Sequence, residues 1–381
     1  MINPFFITGL IPERYFCDRE QETEKIIVAL ENRSHILLTS SRRMGKTQLI
    51  RHVFEQDAIK GKYYTFYSDI FSTSTLKELV FALGREIYKT LVPGEKKALS
   101  LFLGTIKSIA AGFSVDPVTG APKVNLQLGD IYSPELTLEE IFSYLEKADK
   151  RCIFAIDEFQ QIASYPEKNV EALLRTHIQA MNNCCFIFSG SNRHILEQMF
   201  SSYARPFYNS AKPLHLERID REKYAGFVVR NFKDAGIRIS VETAHYCYDL
   251  LDGCTYYMHK VFHDIFSYSE EGSEVTCDRI DSAIKSILEE NTYVYGETLA
   301  RMGISAKQLL IAIAKTGRAS RLTSGAFVKK HALSSPSSVQ KAMRTLLDMQ
   351  MITYDIQGPK NEKVFLIPDK FLDIWLRNNY S

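Results

Sequence analysis

Residues 39–50 read TSSRRMGKTQLI, and the fold turns on whether they form a phosphate-binding loop. The usual pattern is G-x-x-x-x-G-K-[ST]; Gly45, Lys46 and Thr47 fit it, while Ser40 stands at the first glycine. The run SHILLTS (34–40) is apolar and strand-like, and GKTQLIRHVFEQ after it has helical spacing. That is the strand, loop and helix setting the motif requires. In such a loop backbone N–H groups and the helix N-terminus surround a β-phosphate, a lysine reaches the β and γ oxygens, and a hydroxyl holds Mg2+. Lys46 and Thr47 match the last two roles, and Gly45 lies where backbone and phosphate come closest. Ser41, Arg42, Arg43, Met44 and Gln48 complete the stretch expected to line a nucleotide. A serine at position 40 is expected to cost on the order of 1 kcal/mol if its φ must be positive. Alone, the segment reads equally well as a turn rich in small and basic residues.

A chain of 381 residues exceeds the size at which one core keeps growing, so two or three domains are expected. Hydrophobic residues at 45% and charged residues at 24% are ordinary for a folded protein, which excludes a disordered chain. No apolar run approaches the ~18 residues of a membrane span. The start MINPFFITGLIPERYF lacks the basic, apolar and small-residue zones of a secretory signal. Seven cysteines without a C-x-x-C pair fit reduced thiols, so a cytoplasmic protein is expected. The net charge of +2 is unevenly spread: residues 301–381 hold 13 Lys and Arg against 5 Asp and Glu (+8), leaving 34 against 40 (−6) for residues 1–300. The basic tail points to a polyanion partner for that segment alone.

Further along, YYTFYSDI (63–70) reads as a strand and TLKELVFALGREIYKTL (75–91) as an amphipathic helix. Residues 112–130 alternate apolar and polar around Asp116 to Gly120, as an inserted β-hairpin would. A helix over 137–149 leads to RCIFAIDEFQQI (151–162), and another helix leads to CCFIFSGSNRHIL (184–196). Strands apolar on both faces and separated by helices predict an α/β fold with a parallel sheet covered on both sides. From about 219 the pattern is helical. Residues 304–381 then give three short helices, two strands around Gly358 to Asn361 and a last helix, which describes a winged helix-turn-helix. The expected division is 1–218 for the nucleotide domain with its hairpin insertion, 219–300 for a helical lid and 301–381 for the winged helix.

An acidic pair, Asp157 and Glu158, ends the apolar strand of 151–157, where an unpaired carboxylate is costly. With a phosphate loop upstream, Asp157 would hold Mg2+ through its water shell alongside Thr47, and Glu158 would polarise the attacking water. The alternative is that Asp157 merely caps a helix. Ser189, Ser191 and Asn192, at the end of the next strand, either approach a γ-phosphate or simply terminate the strand.

These residues resemble the AAA+/STAND-type P-loop ATPases, specifically the prokaryotic "archaeal ATPase" family in a form associated with Bacteroidetes, over nearly the whole chain. NPF (3–5) with YFCDREQE (15–22) is similar to the family's N-terminal signature, which implies that Phe16 and Arg19 lie near the base or ribose. TSSRRMGKT resembles its P-R-R-x-G-K-T loop, so the absent glycine is a tolerated variant. FAIDEFQQI resembles its h-h-h-D-E-F-Q strand, and FIFSGSN its sensor-1 strand, with Ser191 as the sensor. In RPFYNSA (205–211), Asn209 and Ser210 stand where Gly-Arg is usual, which removes the obvious arginine finger. DGCTYYMHK (252–260) resembles the lid motif G-h-P-Y-Y, with Thr255 in place of the proline and Tyr256 and Tyr257 as its aromatics. The resemblance implies an AAA+-like nucleotide domain that uses ATP/ADP and Mg2+, a lid and a winged helix.

Ser335 and Pro336 form a strong helix start, and the helix that follows carries Ser337, Ser338, Gln340, Lys341 and Arg344 outward over Val339, Ala342, Leu346 and Leu347. Such side chains suit a major groove, with Lys360, Asn361 and Lys363 on the wing meeting phosphate; winged helices equally serve as protein-docking modules. The expectation is an ATP-binding, slowly hydrolysing switch with Lys46, Glu158 and Ser191 as its catalytic residues and an oligomer open to it. Two rivals stand beside it: a DNA-binding regulator with purely structural nucleotide, and a small-molecule kinase.

Overall fold

The computed structural model describes residues 2–92, 94–108, 113–115, 122–124, 131–358 and 362–380. They form two compact units, one of Leu10–Glu217 and one of Arg218–Ser381 together with the segment up to Gly9.

In the first unit the order is α1 (Glu20–Glu31), β1 (Ile36–Thr39), α2 (Lys46–Glu55), β2 (Tyr63–Asp69), α3 (Leu76–Leu91), α4 (Lys96–Thr105), β3 (Phe113–Val115), β4 (Pro122–Val124), α5 (Pro134–Lys147), β5 (Arg151–Asp157), α6 (Val170–Gln179), β6 (Cys184–Gly190), α7 (Arg193–Ser201) and β7 (Lys212–His215). Five strands make one parallel sheet in the order β2-β5-β6-β1-β7. β6 is buried along its whole length and β5 at every residue after Arg151, because helices cover both faces. Phe66, Phe154, Phe186, Phe188, Phe159 and Phe207 supply much of the core beneath them. The antiparallel pairing of β3 with β4 falls within the hairpin expected over 112–130; the rest of that stretch lies outside the described residues.

The second unit continues with α8 (Arg221–Asp234), β8 (Arg238–Ile239), α9 (Val241–Leu250), α10 (Thr255–Ser267), β9 (Glu274–Val275) and the long α11 (Cys277–Ala300). The winged helix follows as α12 (Ile304–Thr316), β10 (Ala319–Ser320), α13 (Gly325–Lys330), α14 (Pro336–Asp348), β11 (Thr353–Gln357), β12 (Glu362–Leu366) and α15 (Lys370–Tyr380). Its sheet has three strands, β10-β12-β11, one more than expected.

The N-terminal residues depart from the division at 218, which put them with the nucleotide domain. Phe5 is fully buried among the aromatics of α8 and α10, with ring centroids 5.9 Å from Phe227, 5.3 Å from Phe232 and 5.4 Å from Phe262. Asn3 Nδ2 donates to the His263 carbonyl at 2.9 Å, and the His259 ring meets the Phe6 carbonyl at 3.2 Å. Three cations converge on one carboxylate of this unit. Asp252 Oδ2 lies 2.6 Å from Arg218, 2.9 Å from Lys370 and 3.7 Å from Arg318, tying the turn before α10 to β10 and α15. Among the described residues no helix is long and apolar enough to cross a membrane.

Candidate functional site

The loop from β1 to α2 turns through two left-handed residues, Arg43 (φ 64°) and Gly45 (φ 91°). Ser40 is not one of them, so the strain expected at the missing glycine is absent: the chain needs no positive φ until it reaches Arg43. Fully buried, Ser40 accepts from Lys46 Nζ at 3.0 Å and donates to the Ser41 carbonyl at 2.7 Å. Lys46 Nζ also reaches that carbonyl at 3.4 Å. A Cβ at Gly45 would meet no protein atom within 4 Å; the backbone demands the glycine, and the space in front of it is open. Ser41, Arg42 and Arg43 are exposed, whereas Met44 packs inward.

β5 delivers Asp157 opposite this loop. The carboxylate is buried and takes four donors: Thr47 Oγ1 at 3.0 Å and Tyr67 OH at 2.6 Å on Oδ2, Ser189 Oγ at 2.6 Å and the Glu158 N–H at 3.0 Å on Oδ1. Four donors answer the cost of burying it, and Asp157 caps no helix with its side chain. Burial, and then the Asp157 charge, push the Tyr67 phenol upward, so it stays a donor. Asp69, in register with Asp157 across β2 and β5, is raised by burial and by the charges of Asp157 and Glu158, against the pull of the Phe71 N–H.

Glu158 is left-handed (φ 57°), which turns its side chain out of the strand line. Its Oε2 accepts from Ser191 Oγ at 2.9 Å, from the Ser191 N–H at 3.3 Å and from Gln160 Nε2. Arg42 Nε donates to Ser191 Oγ at 3.3 Å, so a chain of hydrogen bonds runs from the loop through Ser191, just beyond β6, to Glu158. The three polar residues ending β6 thus divide: Ser189 holds Asp157, Ser191 meets Glu158 and Arg42, and Asn192 caps α7 by accepting from the Ile195 N–H at 3.3 Å.

Thr47 Oγ1 and Asp157 Oδ2 are hard oxygen donors side by side, as Mg2+ prefers. Among the described residues no group of three His, Cys, Asp or Glu could cage a metal.

Phe16 stacks on His52 of α2, centroids 3.8 Å apart and planes at 3°. Burial lowers His52 against the opposing pull of Glu13 and Glu20. Arg19 is buried with its guanidinium turned to Glu22 (2.8 Å) and the Glu217 carbonyl (2.6 Å). Asn209 takes a left-handed φ of 52°, the conformation a glycine would supply, and Ser210 Oγ donates to the Phe207 carbonyl at 2.7 Å. Tyr257, of the lid-like motif, is buried and packed edge-on against Phe371 at 4.9 Å.

On the winged helix, α14 exposes Ser337, Gln340, Lys341 and Arg344 and buries Val339, Ala342 and Leu346; Leu347 is half-buried. Lys363 is exposed with its ammonium 4.2 Å from the Tyr354 ring centroid. Lys360 and Asn361 lie outside the described residues.

Sequence reasoning missed Tyr67, Gln160 and Gly190. Tyr67 is one aromatic among several in YYTFYSDI, and its link to Asp157 exists only once β2 pairs with β5. Gln160 stood inside the quoted DEFQ run without a role.

A Gly-Lys-Thr loop after β1, with β6 lying between β1 and a strand that ends in Asp-Glu, defines a P-loop ATPase of AAA+-like architecture. Residues 16–261 match the family described as "ATPase domain predominantly from Archaea", and residues 293–378 match a "probable winged helix domain". The chain belongs to that archaeal-type ATPase family. An uncharacterized ATP-binding protein of Methanocaldococcus jannaschii is 26% identical over 164 residues, 40% of this chain and 45% of that protein, so the match spans under half of the relative. Among solved structures, a Walker-type ATPase of Pyrococcus abyssi superposes with a TM-score of 0.68 at 19% identity, covering 98% of this chain and 99% of that one. The Aeropyrum pernix ORC2 protein, solved in ADPNP–ADP complexes, gives 0.57 at 13%, covering 99% and 98%. At these identities the likeness is one of fold.

Proposed function

We propose that the protein is an ATP-binding, slowly ATP-hydrolysing switch of the STAND/AAA+ kind whose winged helix contacts double-stranded DNA. The reading is carried by the meeting of Thr47 with Asp157 across the loop, with Glu158 beside them. Lys46 would bind the β and γ oxygens, and residues 41–48 would wrap the phosphates with backbone N–H groups. Thr47, and Asp157 through water, would hold Mg2+, which when bound neutralises phosphate charge. Glu158 would polarise the attacking water, with Ser191 donating to its Oε2 on the γ-phosphate side, while Phe16 and Arg19 would stand on the base and ribose side. With Ser210 where an arginine is usual, a neighbouring subunit has no obvious finger to offer, and turnover is expected to be slow.

DNA contact is supported by the exposed Ser337, Gln340, Lys341 and Arg344 along α14 and by the basic balance of residues 301–381. The deciding experiment is Mg·ATP turnover of the wild type, Lys46→Ala and Glu158→Gln, with and without duplex DNA. Lys46→Ala should lose nucleotide affinity; Glu158→Gln should keep it and lose turnover by about 10²-fold or more. Lys363→Ala on the wing should cut the salt slope of DNA binding by about 1, whereas Arg344→Ala on α14 should relax sequence preference, at a cost of about 1–3 kcal/mol. Salt-dependent DNA binding with no turnover in the wild type would favour the regulator with structural nucleotide, and loss of DNA binding altogether a protein partner.

A further inference from the structure

Gln160 takes no part in the reading above, yet it is 7% exposed in the 3-10 turn Phe159–Ser164 that follows Glu158. Its amide nitrogen donates to Glu158 Oε2, while its own Oε1 is buried and finds no partner among the described residues. The opposite rotamer of the amide would set a carbonyl against a carboxylate, so Glu158 dictates which end faces it. The orphaned Oε1 points at residue 190, where a Cβ would stand 2.0 Å away. Gly190 is ordinary strand backbone without a positive φ; a Cβ there would have to displace the Gln160 amide and would also press on Leu196 Cδ1, 3.0 Å away. On the far side Ser191 donates twice to the same Glu158 oxygen, whereas Glu158 Oε1 receives none of the described donors.

We propose that Gln160 is a positioning residue: with Ser191 it anchors Glu158 through Oε2, so that only Oε1 is presented to the attacking water. The idea rests on Glu158 acting as the base. In that step the water oxygen bonds to the γ-phosphorus, the bond from that phosphorus to the ADP oxygen breaks, and the water proton passes to Oε1.

Gln160→Leu should lower kcat about tenfold to a hundredfold with the KM for ATP within about twofold. Gln160→Glu, which sets a second carboxylate where the donor stood, should likewise be poorly active. Gly190→Ala should lower kcat as well by displacing the amide. Adding Gln160→Ala to it should restore thermal stability and leave turnover low, which separates positioning from packing. Turnover of Gln160→Leu equal to or above wild type, with Glu158→Gln inactive, overturns the positioning role alone. Full turnover in Glu158→Gln, or none in the wild type, overturns the base and this role together.

Discussion

Ser40 Oγ lies within hydrogen-bond distance of both the Lys46 ammonium and the Ser41 carbonyl, so the residue that breaks the familiar loop pattern also secures the loop's essential lysine. Lys46 is 7% exposed, and a buried ammonium needs acceptors. Ser40→Gly would restore the commoner sequence and remove one of them. We expect the variant to be less stable than the wild type without nucleotide, by about 1.5–3 kcal/mol for a hydrogen bond to a charged group, measured by urea denaturation. Equal stability would remove the anchoring role. The sequence could point to the substitution at position 40 but not to its partner, because Ser40 and Lys46 meet only once the loop has closed. Asn209 reads the same way: the sequence showed a lost glycine and arginine, and the structure keeps the glycine's left-handed backbone while the arginine is gone.

Strands show which elements were legible. β1, β5 and β6 stand inside the runs expected to hold them because burial on both faces imposes unbroken apolar stretches, whereas β2, an edge strand buried at alternate residues, is marked by its aromatics. β7, with the sequence KPLH, carries no such signal; it exists because β1 offers an edge, with the Lys212 N–H on the His35 carbonyl and the Leu216 N–H on Thr39. The two-residue β10 is set by β12 in the same way. His35, just before β1, ties two of these strands together by accepting the Phe186 N–H on Nδ1 at 3.1 Å. Burial, helped by the charge of Arg175, lowers its pKa to about 4, and the protonated ring could no longer accept. Between about 6.5 and 4 the unfolded chain binds the extra proton, so this stability is complete above about pH 6.5 and is lost as pH falls towards 4, by at most about 3 kcal/mol. Denaturation at descending pH should show the loss, and His35→Leu, though weaker at neutral pH, should show a shallower slope over that range. Parallel slopes would rule the effect out.

At the scale of the whole molecule, the second unit is assembled from two stretches of chain that the first unit separates. Contiguous domains were the natural expectation from sequence, since hydrophobic periodicity identifies a buried face but not the distant element that covers it. Phe5 is the clearest case, the first of two adjacent phenylalanines near the N-terminus, whose ring completes the core of α8 and α10. Phe5→Ala should therefore cost the second unit about 3–5 kcal/mol and leave Leu10–Glu217 largely unaffected. Hydrogen exchange resolved along the chain would check this, and loss of protection spread equally over both units would contradict it. The same arrangement bears on the order of synthesis. Asn3 is translated 260 positions ahead of the carbonyl it binds, so Phe5 waits beside the ribosome, an apolar plug without a socket, while the entire ATPase unit is made and folds. The newborn protein can close its phosphate loop long before it can close the body that carries its winged helix.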